Sequence, residues 1–256
     1  MITTKDFSTI YADYAFFEAH STEAHADVEG YLPFLRRRLK TEAALRWLDL
    51  GCGSGNFTSK LLTRLQAPPE HLHLTLVEPD AGYRQEAQAA LQRFTTNTIN
   101  AWSTMPTTIS QRYDLALANH VLYYVPDLCG VVEQIVHRLK PRGRFLIAMA
   151  GRDNTLAHIW ESSHPLLGQP LPYHTAENLE EVLAWLGYFY HKQRIDYIVR
   201  FADSEQNRLH LLRFIFADHF DERYRRQLLH LLQPYQTAGD IVIQTHHEQY
   251  QIVPIL

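Results

Sequence analysis

Between residues 45 and 150 short apolar runs alternate with amphipathic stretches. LRWLDL (45–50) reads as a buried strand, followed by a glycine-rich turn and a helical stretch from Phe57 to Leu65. LHLTLVE (72–78) alternates apolar and polar residues with the period of two that marks a strand. A helix is predicted over 81–93, a weak strand at TINAW (98–102) and a strong one at YDLALAN (113–119). A helix from about 127 to 139 leads into a fifth strand, GRFLIAMA (143–150). Strands and helices in this order predict a parallel sheet covered by helices on both faces.

The flanks follow a different pattern. Residues 4–19 and 23–40 read as helices, although Gly30 and Pro33 argue against the second. Beyond residue 150 the pattern predicts a loop or short helix over 151–174, a helix over 175–188 and a strand at 195–201. Helices follow at 205–219 and 222–232, then a last strand at 240–253 with a break in its middle. The expected organisation is a helical lid (1–44), a central α/β unit (45–150) and substrate-binding insertions with closing strands (151–256).

The chain has 256 residues, 46% of them hydrophobic, enough for one large core. A formal charge of −4 gives no basic surplus for nucleic acid or an anionic membrane. Arg36, Arg37 and Arg38 form a local basic run, read as the solvated side of a helix. Two cysteines, Cys52 and Cys129, make no disulfide framework and point to a reducing compartment. With no bilayer-length apolar run and no signal-peptide pattern, the expectation is a soluble cytoplasmic protein, monomer or homodimer.

Candidate chemistry begins at LDLGCGSGNF, residues 48–57, directly after a predicted strand. Gly51, Gly53 and Gly55 allow a tight turn and close approach of a ligand. A dinucleotide site would carry G-x-G-x-x-G, whereas this spacing is G-x-G-x-G with Asp49 just before it. A carboxylate there repels a pyrophosphate and suits an ammonium group. Glu78 ends the next strand, where an acid can accept hydrogen bonds from both ribose hydroxyls. An acid at each place fits S-adenosylmethionine.

Over residues 45–150 the chain resembles the class I S-adenosylmethionine-dependent methyltransferases. The resemblance implies an α/β Rossmann-like sheet of about seven mostly parallel strands, with S-adenosylmethionine as cofactor and S-adenosylhomocysteine as product. It implies cofactor contacts from Asp49, Gly51, Cys52, Gly53, Gly55, Glu78 and Pro79. Trp102 and Ser103 would flank the adenine, with Tyr83 nearby; Trp102 also reads as a core aromatic at a strand end. Asn119 and His120, ending the fourth strand, fall where the family contacts cofactor and substrate.

Segments YADYAFFEAHSTEAH, HVLYYVPDL and AHIWESSHPLL occur in the same order as in histamine N-methyltransferase, which the chain resembles over most of its length. That resemblance carries a substrate-facing glutamate onto Glu23 and pocket-lining positions onto Tyr123, Tyr124 and Trp160. Three departures stand out. Leu156 replaces an upstream tryptophan, His120 replaces an amide, and Thr245 or His246 falls where the family has an asparagine. Glu23 could hold a substrate ammonium, and His120 or His246 could relay its proton. Tyr11, Tyr14, Phe17, Tyr123, Tyr124 and Trp160 form a candidate aromatic wall, or simply core. No H-E-x-x-H and no spaced Cys/His set exists, so no metal is expected. The expected activity is methylation of a small molecule at an amine or imidazole nitrogen, with an O- or C-acceptor of phenolic or natural-product type as the alternative.

Overall fold

The computed structural model describes residues 10–106 and 111–254; the expected helical residues 4–9 lie outside them. The N-terminal part consists of α1 (Tyr11–His20) and α2 (Glu23–Thr41). Then come β1 (Leu45–Leu50), α3 (Asn56–Leu65), β2 (Leu72–Val77), α4 (Ala81–Leu91), β3 (Asn100–Trp102), β4 (Tyr113–Asn119), α5 (Leu128–Val136) and β5 (Leu139–Met149). The remainder is α6 (Thr155–Ser162), α7 (His164–Leu167), α8 (Ala176–Leu186), β6 (Phe189–Ala202), α9 (Glu205–Phe216), α10 (Arg225–His230), β7 (Gln236–Thr237) and β8 (Asp240–Val253).

The strands form one sheet in the order β3-β2-β1-β4-β5-β8-β6, with β7 paired to β8. β1 to β5 are parallel, and β8 runs antiparallel to both β5 and β6. The order reverses between β1 and β4, and the ends of two such strands leave a crevice for a ligand. Asp49 sits there, level with Leu76 on β2 and Leu117 on β4.

Two expectations about strands are corrected. β8 has no break, because every residue from Asp240 to Val253 pairs with β6. The same pairing lengthens the expected strand at 195–201 to Phe189–Ala202. Residues expected as loop or short helix after 150 include α6 and α7.

α2 continues through Gly30 and Pro33. Its buried face, Val28, Tyr31, Leu32 and Leu35, joins the apolar layer over β1, β2 and β4. Tertiary burial of that stripe overrides the local cost of the two breakers. Gly30 has a packing reason: a Cβ there would come within 2.4 Å of Gln249 Oε1 and 2.9 Å of Ile195 Cδ1. Glycine thus lets α2 close onto β6 and β8. The opposite face of the sheet is covered by α5 and α8. α1 packs on α9, where Phe17 stacks on Phe214 with ring centroids 4.2 Å apart. Among the described residues no helix is long and apolar enough to cross a membrane.

Candidate active site

The turn after β1 holds Gly51, Gly53 and Gly55 at positive φ, +64°, +53° and +77°. A Cβ on Gly51 would strike Val121 Cγ1 at 2.4 Å, whereas one on Gly53 would meet nothing within 4 Å. The turn is therefore packed on one side and open on the other. Glu78 ties it to β2: its Oε2 accepts from Gly53 N (2.9 Å) and its Oε1 from Asp80 N (3.0 Å). Arg84 Nη1 donates to the carbonyls of Glu78 (2.6 Å) and Pro79 (3.1 Å). Cys52 lies within the turn, its backbone N–H donating to Val77 O.

Asp49 is buried beneath this turn and accepts a 2.6 Å hydrogen bond from Thr58 Oγ1. Burial pushes its carboxyl up to about 7, the nearby Glu78 adds to the rise, and the Thr58 bond only partly offsets it. A buried acid in this state gains from a cationic ligand. Open space at Gly53, with Asp49 beneath the turn and Glu78 beside it, fits the amino-acid end and ribose of S-adenosylmethionine.

A second cluster lies where β4 ends and alongside the middle of β8, and Asp27 of α2 is its hub. Asp27 Oδ1 accepts from His247 Nε2 (2.6 Å) and Gln249 Nε2 (2.7 Å). Its Oδ2 accepts from His120 Nε2 (3.0 Å) and Asn119 Nδ2 (3.1 Å). Four donors satisfy this fully buried carboxylate. Burial alone would raise its pKa, but His247 and His120 outweigh that and hold it well below the usual carboxylate range. Asn119 also accepts from Tyr31 Oη at 3.0 Å, so the cluster is built into the core.

Glu23 opens α2 one turn before Asp27. Its Oε1 lies 3.7 Å from His120 Nε2 and 4.0 Å from His247 Nδ1. Tyr197 Oη of β6 accepts from Asn154 Nδ2 (3.2 Å), and burial with the nearby Glu23 pushes its hydroxyl well above the usual value. His120 adopts the left-handed conformation, φ +56°, rare for a residue with a side chain and common at functional sites. Its Nδ1 bonds Tyr123 Oη at 3.0 Å, and Tyr123 Oη accepts from Ala150 N at 2.7 Å. Burial pulls the His120 pKa down, but Glu23, Asp27 and the bond to Asp27 lift it to about 9. At neutral pH His120 is thus a fixed cation, a poor proton acceptor for the relay expected of it.

Three other expected site residues are placed differently. On β8 alternate side chains face opposite ways. His247 and Gln249 reach Asp27, while Tyr250 Oη bonds Glu180 of α8 and His246 Nε2 bonds Asp153 Oδ2 (3.0 Å). His246 is therefore not brought to Glu23; its neighbour His247 is. Trp160 lies in the core among α6, α9 and α10, its ring 5.1 Å from Phe216. Phe17 belongs to that same core through Phe214.

Tyr14 stands closer, its hydroxyl pushed up by burial and by Glu18, Glu23 and Tyr83. Tyr11 is exposed. Tyr123 and Tyr124 form an aromatic group with Tyr173, at 5.6 and 5.8 Å. Trp102 ends β3 with 41% of its surface exposed, so it is no core aromatic; Ser103 beside it is also exposed. Tyr83 lies in the first turn of α4, its N–H capped by Asp80.

Asp27, Gln249 and Tyr197 went unnoticed in the sequence, and His247 stood out only as half of the histidine pair in QTHHEQY, which could in principle have met Glu23 at a metal. Glu23 Oε1, His120 Nε2 and His247 Nδ1 lie within 4.8 Å of one another, a grouping that no local spacing announces and that could in principle hold a metal ion. To bind one, His120 would have to release Asp27.

Sheet order, open glycine turn and paired acids define the class I methyltransferase architecture. A family profile described as a methyltransferase domain matches residues 23–193. Histamine N-methyltransferase B of Xenopus laevis is 28% identical over 160 residues, 55% of this chain and 53% of that protein. Trans-aconitate 2-methyltransferase of Escherichia fergusonii is 30% identical over 217 residues, 76% of this chain and 81% of that protein. The chain spans about half the length of the histamine enzymes it matches. The plantazolicin methyltransferase BpumL, solved with a pentazolic desmethylPZN analog and SAH, superposes with a TM-score of 0.56 at 14% identity. That match covers 96% of this chain and 90% of BpumL, and it speaks for the fold alone. The chain belongs to the methyltransferase-domain family, as a class I S-adenosylmethionine-dependent member.

Proposed function

We propose that the chain methylates a nitrogen of a small amine or imidazole-type molecule. The observation that carries this is the charge of the cluster around Glu23. Among the described residues its ion-pair partners are two histidines, with no lysine or arginine. Asp27 one turn on is a fully buried acid whose ion-pair partners are histidines. Two carboxylates set among histidines favour a cation in this region and disfavour a polycarboxylate such as trans-aconitate. The name of the histamine relatives agrees with that preference.

Asp49 would pair with the amino group of the cofactor and Glu78 with its ribose, with Trp102, Ser103 and Tyr83 beside the adenine. S-adenosylmethionine supplies the electrophilic methyl group. Glu23 would hold the substrate ammonium by a charge-assisted hydrogen bond, and Tyr197 would fix the carboxylate. Tyr123, Tyr124 and Tyr173 would offer aromatic faces to a flat ring or cation. Holding the nitrogen in line with the methyl group is most of what such a displacement needs.

A turnover screen against amines, imidazoles, phenols and carboxylic acids, with mass spectrometry of the product, tests the reading. Methylated amine or imidazole nitrogen is the expected result. Turnover confined to carboxylic acids or phenols would refute it.

A further inference from the structure

The two ring nitrogens of the buried His247 have different surroundings. Nε2 lies 2.6 Å from Asp27 Oδ1, an oxygen that also receives Gln249 Nε2. A carboxylate only accepts, so the proton of this contact sits on Nε2. Nδ1 is buried and has no hydrogen-bond partner. Glu23 Oε1 is 4.0 Å away, beyond hydrogen-bond distance, and it too is an acceptor. In the neutral ring, whose one proton the Asp27 contact holds on Nε2, Nδ1 is an acceptor facing Glu23 Oε1, and no hydrogen bond joins the two. An unpaired buried nitrogen costs stability, which a ligand N–H group would restore. A nitrogen placed ~2.8 Å from both atoms would see them roughly 90° apart, close to the spacing of ammonium hydrogens.

We propose that His247, oriented by Asp27, is the base of the reaction, taking a proton at Nδ1 from a substrate ammonium held by Glu23. This rests on the amine reading above. The N–H bond of the substrate breaks, its electron pair stays on nitrogen, and the proton forms an N–H bond at His247 Nδ1. That lone pair then forms the new N–C bond as the methyl–sulfur bond breaks and its pair remains on sulfur. The imidazolium left behind lies between Asp27 and Glu23, two carboxylates that stabilise it. His120 cannot take this part in the geometry present, because both of its nitrogens are already bonded, to Tyr123 and Asp27. The groups facing His247 are Glu23 and Asp27 from α2, His120 after β4 and Tyr197 from β6.

Two measurements decide. In the substrate-free protein, nitrogen NMR of labelled histidine, assigned with His247→Gln, should find the proton on Nε2 and Nδ1 bare at neutral pH. With histamine as probe, or another amine that the screen yields, H247Q should lose roughly 100-fold or more in kcat/KM. It should also lose the acidic limb of its pH profile, while calorimetric cofactor affinity stays near wild type. A proton on Nδ1, or an H247Q enzyme within tenfold of wild type, overturns the proposal and leaves the amine reading standing. So does stoichiometric zinc retained by the wild type and lost in H247Q, since Nδ1 would then be a ligand. Turnover of phenols or carboxylic acids alone removes the amine reading, and this proposal falls with it. Should H247Q fail to fold, the wild-type nitrogen resonances decide.

Discussion

His247 Nε2 and Asp27 Oδ1 meet at 2.6 Å although 220 residues separate them in the chain. The contact fastens the last strand to the second helix and closes a buried network of one carboxylate with four donors. Removing the charge leaves those donors mismatched. Asp27→Asn should lower the unfolding free energy by about 3–5 kcal/mol, the usual effect of breaking a buried ionic network. Urea unfolding measures it, and a loss below about 1 kcal/mol, the range of an exposed pair, would show that the network contributes little.

His120 makes stability depend on pH. Its folded pKa, about 9, lies above the ordinary imidazole value. The stabilisation it carries is therefore complete below about pH 6.5 and is lost as pH rises through 9, on the order of 3 kcal/mol. Asp27 acts in the other direction: its depressed pKa gives stability above the ordinary carboxylate range that is lost on acidification. Melting curves of wild type and His120→Asn across the alkaline range should differ in slope, with the variant flatter.

Cofactor binding should release a proton. Asp49 titrates at about 7 in the ligand-free protein, so near neutrality much of it is protonated. A bound ammonium favours the carboxylate and lowers that pKa. Calorimetry at pH 7 in buffers of different ionisation enthalpy should detect fractional proton release, absent in Asp49→Asn. Affinity should rise between pH 6 and 8. Equal affinity across that range would remove Asp49 from the amino-group contact.

Two glycine variants separate folding from binding. Gly51→Ala forces a Cβ to 2.4 Å from Val121 Cγ1 at φ +64° and should destabilise the fold by about 1–3 kcal/mol. Gly53→Ala meets no atom, so its cost is that of a left-handed alanine, about 1–2 kcal/mol. Its methyl group enters the open side of the turn, and cofactor affinity should fall at least tenfold by calorimetry. Undiminished affinity in G53A would place the cofactor elsewhere.

Glu23→Gln keeps the shape of the side chain and removes its charge. Turnover should drop roughly 100-fold, in line with removing one partner of a half-buried charge contact to the substrate, while cofactor affinity stays within twofold. Steady-state kinetics and calorimetry together check this. A variant as active as wild type would exclude Glu23 from substrate contact.

The order of strands, the glycine turn and the acid pair Asp49–Glu78 are legible in the sequence because each is written within a few neighbouring residues. Periodicity sets strand or helix, positive-φ positions need glycine, and an acid at a strand end keeps its place whatever packs above. Glu23 and His120 could also be picked out, through segments shared with known enzymes. The tertiary structure alone selected Asp27 and His247. Asp27 looks like any acid on the helix until that helix is seen against β8. Choosing between His246 and His247 turns on one step of strand parity, which sends one ring to Asp153 and the other to Asp27. Trp160 and Phe17 likewise share the aromatic character of pocket residues, and only the packing of α1, α6 and α9 puts them in the core. Local chemistry is fixed by short-range geometry, while which charges meet depends on how distant elements are pressed together.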